Sequence, residues 1–374
     1  MRATWAEVDP AAIAHNVSTL ARVVAPAEVC VVVKADGYGH GAVETAEVAL
    51  TAGASRLAVA LTEEGAALRA AGIDAPILLL SEPPTSDAAT VVAERLEPTV
   101  YTEAGIAALA AATTEAPGPN LPVHLKVDTG MYRVGCAPGD AVRLAKEITA
   151  DARLELASVW THLAVADAPD DPFTAVQVGR YRDALTTLDD AGIEVPLRHV
   201  ANSAGAIAHP DSRFDMVRCG IAVYGVPPSA PLVGTVELQP ALRLVSSVSH
   251  LKVVPAGSAI SYGRRYTVER PSHIATVPIG YADGVRRALS ATGGEVLVGG
   301  RRRPIAGTVT MDQLMVDLGD EESVSVGDEV VLIGRQGDAE ITAAEWADRL
   351  DTIGYEIVCG IGSRVPRRWT GSGA

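Results

Sequence analysis

The sequence predicts an α/β fold in which a (β/α)₈ TIM barrel is followed by a C-terminal, mostly β domain. Short apolar runs alternate with alanine-rich stretches over residues 29–217, which is typical of βαβ units on a parallel sheet. There are eight such runs, the number of strands in a closed barrel. After the proline-rich residues 227–231 the sequence pattern changes to short runs of strand-forming residues separated by Gly and Pro. We therefore expect a barrel domain over residues 1–232 and a β domain over residues 233–374.

Each predicted barrel strand is a short apolar run, and most are followed by a stretch of helix-forming composition. An open doubly wound sheet is the alternative, but no G-x-G-x-x-G sequence follows the first run. The predicted strands are Val29–Val33, Arg56–Leu61, Pro76–Leu80, Pro98–Tyr101, Pro122–Val127, Leu154–Trp160, Arg198–Ala201 and Phe214–Val217, and the predicted helices are Gly41–Ala52, Thr62–Ala71, Glu103–Ala112, Asp140–Ala150 and Phe173–Ala191.

The second domain shows few helical stretches, so we expect a mostly β arrangement from about residue 233. The last four residues, Gly371–Ala374, are expected to form a loose tail. The expected strands are Leu242–Val254, Ile274–Val277, Glu295–Val298, Leu314–Val316 and Glu329–Ile333.

Composition excludes several classes of protein. The net charge of −15 disfavours binding to nucleic acid and to anionic membranes. No run approaches the 18 apolar residues of a membrane span, and the first residues lack the apolar core of a signal peptide. The four cysteines form no C-x-x-C pair, so neither a metal site nor a disulfide framework is expected. A location in the reducing cytoplasm fits these features.

Polar residues follow the predicted barrel strands at the point where each strand ends. Active sites of (β/α)₈ enzymes lie at the carboxyl ends of the strands, so these residues are expected to share one rim. They are Lys34, Lys126 with Asp128, Thr161 with His162, Asn202 with Ser203, and Arg218.

Lys34 is the candidate nucleophile. Burial at the end of an apolar strand lowers the pKa of a lysine and makes its amine reactive near neutral pH. A lysine that merely reaches solvent from a strand end would look the same, but Gly37-Tyr38-Gly39-His40-Gly41 follows it. Its glycines allow close approach of a ligand, and the hydroxyl of Tyr38 can bind a phosphate. Phosphate sites of such barrels also use the loops after strands seven and eight.

At this point the sequence resembles the bacterial alanine racemases, which bind pyridoxal phosphate (PLP). The motifs run in order through both predicted domains, which is more specific than any single pattern. They are residues 33–41, 126–135, 161–164 with Asp167, 202–203, 218–221, 261–264, 280–284, 311–313 and 354–357.

The resemblance implies a two-base racemase that supplies D-alanine for peptidoglycan. Lys34 would hold PLP through a Schiff base and act as one base, and Tyr262 of the other subunit of a homodimer would be the second. A free tyrosine has a pKa of about 10 and needs cationic or hydrogen-bonding neighbours to act as a base. The residues that the resemblance implies for PLP binding are Lys34, Tyr38, Leu80, Arg133, His162, Asn202, Ser203, Arg218, Gly220, Ile221 and Tyr355. Those implied for binding the amino-acid substrate are Arg133, Tyr281, Met311 and Asp312. Lys126 resembles a lysine that is carbamylated in many members of the family.

Three residues depart from the family pattern, and alternative functions fit parts of the sequence. Thr308 and Gly354 depart from the family pattern and put the charge of the access corridor and the side-chain selectivity in doubt, and Cys219 stands where a proline is frequent. His40 and His199 are expected to be structural. The alternatives are a racemase of serine or of broad specificity, a related PLP decarboxylase, a PLP-carrying homeostasis protein and a metal-assisted barrel hydrolase.

Overall fold

A computed structural model describes residues 2–115 and 119–371, and these form two compact units. One unit is Ile13–Leu238. The other combines the stretch ending at Ala12 with the chain from Gln239 onward. The expectation of a loose tail falls largely on residues 372–374, which lie outside the described residues.

A closed barrel of eight parallel strands is the centre of the first unit, which confirms the predicted fold class. The barrel closes where the first strand pairs with the eighth, with Cys30 opposite Arg218. Each of the eight predicted runs overlaps one strand. In chain order the first to eighth strands are Glu28–Val32, Arg56–Val59, Ile77–Leu79, Glu97–Val100, Leu121–Lys126, Leu154–Trp160, Arg198–His199 and Met216–Cys219.

Amphipathic helices alternate with the barrel strands. Ala141–Ala150 illustrates why, since it buries Ala141, Leu144, Ala145 and Ile148 at the spacing of one helix face. The chain up to residue 238 contains the helices Pro10–Val24, Ala42–Thr51, Thr62–Ala70, Ala88–Ala93, Glu103–Glu115, Ala141–Ala150, Phe173–Asp190 and Ser203–Ala208, and the 3₁₀ turns Thr85–Asp87, Pro138–Asp140, Pro210–Ser212, Ile221–Tyr224 and Ala230–Leu232.

The second unit is mostly β, as predicted. Its largest sheet has the order Arg301–Pro304, Glu295–Val298, Glu329–Gln336, Leu242–Ser247, Trp5–Val8, Arg367–Trp369, and Ala339–Ile341 pairs with Glu329–Gln336. A second sheet consists of His250–Val254, Ser272–Val277 and Leu314–Gly319, and a hairpin joins Ala259–Ile260 to Tyr266–Thr267. The helices are Ala343–Leu350 and Gly354–Cys359, and the 3₁₀ turns are Tyr262–Arg264, Tyr281–Asp283 and Arg287–Ala291.

Two features differ from the expected organisation. Trp5–Val8 is a strand of the second unit rather than of the barrel, because it pairs with Leu242–Ser247 and with Arg367–Trp369. The run Leu242–Val254 forms two strands in different sheets rather than one. Both depend on pairing between distant segments, which local periodicity does not encode. None of the described helices has the length and apolar character that crossing a membrane requires.

Candidate active site

Lys34 is half-buried directly after the first barrel strand, where an unusual turn begins. Residues 35–38 all have left-handed backbone angles, with φ of 53° at Ala35 and 54° at Tyr38. This conformation costs about 1–2 kcal/mol for each residue other than glycine. Two carboxylates hold the turn: Glu64 accepts from the Ala35 N–H at 2.6 Å, and Asp36 accepts from the Ala42 N–H at 3.0 Å. The result is that Tyr38 is buried close behind the lysine.

Tyr38, Ser203 and Gly220 meet at the carboxyl ends of strands one, seven and eight. The Gly220 N–H donates to Ser203 Oγ at 2.9 Å, and a Cβ on Gly220 would lie 2.3 Å from the Tyr38 hydroxyl. Asn202 shapes this loop by accepting from the Gly205 N–H at 2.9 Å. Ile221 follows Gly220 and is buried. Two hydroxyls and a glycine backbone at one place suit a phosphate group.

Arg218 is a buried cation without a carboxylate partner among the described residues. Its Nη1 donates to His199 Nδ1 at 2.8 Å, and its Nη2 donates to the carbonyls of Thr161 and Val200, both at 2.9 Å. Burial lowers the pKa of Arg218 to about 10, so the group is charged at neutral pH. No acceptor in the described part of the chain pairs with its Nε–H, which leaves one donor for a ligand.

His162 lies next to Arg218 and is a neutral imidazole. Burial lowers its pKa well below the usual value, and the charges of Arg218 and Lys126 lower it further. Arg218 Nη2 donates to His162 Nδ1 at 3.2 Å. The histidine is thus held by the arginine and keeps its proton on Nε2.

Lys126 is buried on the fifth strand, with Nζ 4.1 Å from the centre of the Trp160 ring and 3.3 Å from the Leu80 carbonyl oxygen. Burial lowers the pKa of Lys126 to about 7, and the charges of Arg218 and Arg133 act in the same direction. About half of the amine is therefore neutral at pH 7. A neutral amine in a cationic surrounding is the form that can take up CO₂.

Arg133 lies exposed on the loop after the fifth strand. Asp128 shapes this loop by accepting from the N–H groups of Gly130 at 2.9 Å and Tyr132 at 3.1 Å. Within residues 2–115 and 119–371, no hydrogen bond or ion pair engages the Arg133 guanidinium. It is therefore available to bind an anion.

The remaining predicted residues belong to the second unit, and several are exposed. Tyr262 is 73% exposed, Met311 51% and Tyr281 43%. Tyr262 lies in the hairpin turn Tyr262–Arg264, where the Thr308 hydroxyl donates to its carbonyl oxygen at 2.9 Å. Thr308 is thus a backbone support for this tyrosine, a role that the sequence did not suggest.

The positions of Asp312 and Tyr355 support their predicted binding roles less directly. Arg364 donates to the Asp312 carboxylate at 2.7 Å. The Asp312 carboxylate would repel a substrate carboxylate. An attractive contact from residues 311–312 therefore requires their backbone N–H groups. Among the described residues, no acceptor is found for the N–H of Met311 or of Asp312. Tyr355 is half-buried on the short helix Gly354–Cys359.

Sequence reasoning did not connect Arg218 to the polar residues His124, Ser158 and His199 inside the barrel. Trp160 stacks on His199 at 5.4 Å and lies 4.4 Å from the Arg218 guanidinium. His199, expected to be structural, bonds directly to Arg218. A polar residue in each of four successive apolar strands was the signal that could have found the group: His124, Ser158, His199 and Arg218.

The residues around Lys34 fit PLP. The phosphate of PLP can accept hydrogen bonds from the hydroxyls of Tyr38 and Ser203 and can occupy the space that the missing side chain of Gly220 leaves. Its anionic charge suits a site in which Lys126, Arg218 and Arg133 outnumber nearby carboxylates. The charge of Lys34 itself lowers the pKa of both Lys126 and His162, so these strand ends converge on it.

Proteins of one family resemble this chain over nearly its whole length. The family model for the N-terminal domain of alanine racemase matches residues 8–228, and that for the C-terminal domain matches residues 241–369. A protein of Symbiobacterium thermophilum named alanine racemase is 48% identical over 374 residues, covering 100% of this chain and 99% of its own length. One of Thermobifida fusca is 45% identical, covering 98% of both chains.

Solved structures give the same result. An alanine racemase from Streptomyces lavendulae has a TM-score of 0.94 and 38% identity, covering 100% of this chain and 98% of its own. An alanine racemase from Bacillus anthracis with bound L-Ala-P has a TM-score of 0.92 and 39% identity, covering 100% of this chain and 96% of its own.

Proposed function

The chain belongs to the alanine racemase family, and from this premise we propose that it is a PLP-dependent isomerase that interconverts L-alanine and D-alanine. The observation that carries the proposal is the convergence of Lys34, neutral His162, buried Arg218 and the Gly220 loop on one barrel rim. D-Alanine made this way would serve peptidoglycan synthesis. Cys30, Cys136, Cys219 and Cys359 are not joined in disulfides, which is compatible with the proposed location in a reducing cytoplasm.

The proposed mechanism divides the proton transfer between two bases. Bound PLP withdraws electrons from the Cα–H bond of the substrate and so makes this proton removable. Lys34 holds the cofactor and exchanges a proton at one face of Cα. Tyr262 exchanges a proton at the opposite face, so the proton lost from one side is replaced from the other. At the end of a turnover the two bases have exchanged protonation states.

Tyr262 needs help to act as a base near neutral pH. In the proposed site it approaches His162, whose neutral ring is held by Arg218. A positive charge behind a hydrogen-bonding imidazole favours the phenolate form of a tyrosine. We therefore assign His162 and Arg218 to the activation of Tyr262 as well as to cofactor binding.

Arg218 would also face the pyridine nitrogen of PLP through its free Nε–H. Because Arg218 stays protonated at neutral pH, it would donate a hydrogen bond to that nitrogen and would not protonate it. By leaving that nitrogen without a proton, Arg218 would make the bound cofactor a weaker electron acceptor and would so limit the side reaction of transamination. Arg133 is assigned to the substrate carboxylate, with Lys126, as its carbamate, orienting the arginine.

A homodimer with shared sites completes the proposal. Tyr262, Tyr281 and Met311 are exposed on the second unit, where a catalytic base would be open to water. We propose that the domain from about residue 233 supplies them to the site of the partner subunit, whose barrel holds PLP. The hydrophobic parts of these exposed side chains would then be covered by association.

The test combines chemistry and labelling. The purified protein is expected to absorb visible light as a lysine-bound PLP protein, and borohydride should fix the cofactor to Lys34. Chiral chromatography of an amino-acid panel should show interconversion of alanine well above that of serine and larger residues. Labelling of another lysine would contradict the proposed anchor. Release of CO₂ instead of the opposite enantiomer would contradict the proposed reaction.

A further inference from the structure

A chain of buried hydrogen bonds runs from Arg218 into the barrel interior. Arg218 Nη1 contacts His199 Nδ1 at 2.8 Å, and His199 Nε2 contacts Ser158 Oγ at 2.9 Å. Ser158 Oγ lies 2.6 Å from His124 Nδ1, and His124 Nε2 lies 3.0 Å from Glu97 Oε2. His124, Ser158 and His199 are fully buried. The chain thus joins the rim to the first residue of the fourth strand.

Donor and acceptor chemistry fixes the direction of every bond in this chain. Arginine has only donors, so His199 Nδ1 accepts, and a neutral His199 carries its proton on Nε2. His199 therefore donates to Ser158, the Ser158 hydroxyl donates to His124 Nδ1, and His124 donates through Nε2 to Glu97. If His124 were doubly protonated, Ser158 would accept from both rings, and its own hydrogen would have no acceptor in the described structure.

The two ends of the chain carry opposite charges. Arg218 is the cation at the rim, and Glu97 is the carboxylate at the other end, where Arg56 also binds it. Burial alone would raise the pKa of Glu97, but the ion pair with Arg56 and the hydrogen bonds from Arg56 and His124 oppose this and keep the carboxylate ionised. An ionised Glu97 can only accept, so it forces His124 to carry its proton on Nε2.

We propose that Glu97, His124 and Ser158 are positioning residues that set the tautomer of His199 and thereby hold Arg218 against the pyridine nitrogen of the cofactor; this rests on the proposed function. Without the carboxylate, the His124 Nε2–H loses its acceptor, and only Arg218 at the other end still favours the original direction of the chain. The chain can then reverse, which places a proton on His199 Nδ1 facing the Arg218 N–H. Two donors repel each other, so the arginine shifts from its place.

The first test reads the tautomer directly in the full-length protein with bound PLP. With ¹⁵N-labelled histidine, His199 and His124 of the wild type should both show a protonated Nε2 and an unprotonated Nδ1. In Glu97→Met and in Ser158→Ala, His199 should gain signal from protonated Nδ1. The second variant removes a single oxygen, so the test survives if Glu97→Met does not fold. Thr99→Val is the matched control, since Thr99 Oγ1 is a buried hydroxyl that lies opposite His124 and outside the chain.

The second test reads the consequence at the cofactor. Both variants should form about 10-fold more pyruvate per racemisation turnover, as expected when an outer partner of a functional residue is removed. Their kcat should fall, and it should change by a larger factor than KM does. Thr99→Val should keep the wild-type ratio. Wild-type protein with the proton on His199 Nδ1, or variants whose histidine signals and pyruvate ratio match the wild type, would overturn the proposal. The tautomer measurement needs no racemase activity, so failure of the proposed function would be seen separately.

Discussion

The rim of the barrel and the exposed turn of the second unit are built in opposite ways. At the rim, Arg218 makes hydrogen bonds to His162, His199 and backbone carbonyls. In the second unit Tyr262 is 73% exposed, and only its backbone is held, by Thr308. This contrast fits the proposed division of roles, in which the barrel rim binds the cofactor and the exposed Tyr262 acts as second base in the site of a partner subunit.

The comparison also separates two kinds of cost. Burying the cations Lys126 and Arg218 without carboxylate partners among the described residues carries a desolvation cost, which the proposed anionic cofactor would offset. Exposing Tyr262 costs the isolated chain little, because a solvated tyrosine needs no internal partner. Substitutions at the rim should therefore change the bound cofactor, whereas substitutions in the second unit should change the rate and leave the cofactor in place.

The largest effect is expected for Tyr262→Phe. Loss of the second base should lower kcat by roughly 10²–10⁴-fold while PLP content and the absorption spectrum stay as in the wild type. Tyr266→Phe is the matched control, because Tyr266 lies in the same hairpin and bonds to Asp317 instead. A Tyr262→Phe protein that keeps most of its activity, or that loses PLP, would break the distinction between the two regions.

Gly220→Ala should produce the next largest effect. The new Cβ would lie 2.3 Å from the Tyr38 hydroxyl and displace it from the phosphate loop. We expect PLP affinity to fall by about 10- to 100-fold, with the loss of one or two hydrogen bonds to a charged group. Equilibrium dialysis of PLP measures it. Gly179→Ala, at a helix position with no atom within 4 Å, should leave the affinity unchanged. Equal affinities in the two variants would contradict the assigned phosphate site.

Lys126 offers a pH-dependent test of the rim. Its folded-state pKa of about 7 is lowered from the usual value, so the neutral amine grows as pH rises through 7. With ¹³C-bicarbonate, a carbamate NMR signal should increase from about pH 6 to about pH 8. Lys126→Arg should lack that signal and lose roughly 10-fold in kcat/KM, since outer partners of functional groups contribute about this much. A flat, signal-free titration would rule out carbamylation.

Thr308→Val is expected to have the smallest effect. It removes the hydroxyl that donates to the Tyr262 carbonyl but preserves the shape of the side chain. One neutral hydrogen bond contributes about 1 kcal/mol, so kcat should fall by several-fold with an unchanged PLP spectrum. Thr308→Ser, which retains the hydroxyl, should restore the rate. If both variants behave alike, the hydroxyl does not position the tyrosine.

Much of the barrel could be predicted from the sequence because its strands are local apolar runs and its strand order follows the chain. The rim residues followed from the same rule, since a strand end is visible in sequence. The strand Arg301–Pro304 was missed because its charged residues lie at an exposed sheet edge, where no apolar alternation is required. Trp5–Val8 was misassigned because its partners lie more than 200 residues away.

The buried chain behind Arg218 shows a different limit. Sequence gives the residue types of His124, Ser158 and His199 but not which strand faces orient them toward one another. His199 was therefore expected to be structural, although it is a direct partner of Arg218. Its role depends on hydrogen-bond direction, which only the assembled barrel determines.

Subunit complementation tests most directly whether the two regions act together across a dimer. Lys34→Ala and Tyr262→Phe chains carrying different tags are coexpressed, and the heterodimer is isolated and assayed for alanine racemisation. One of its two sites combines Lys34 of one chain with Tyr262 of the other, so we expect about half the activity of the wild-type dimer, while each mutant homodimer is nearly inactive. A heterodimer as inactive as its parents would contradict the shared site.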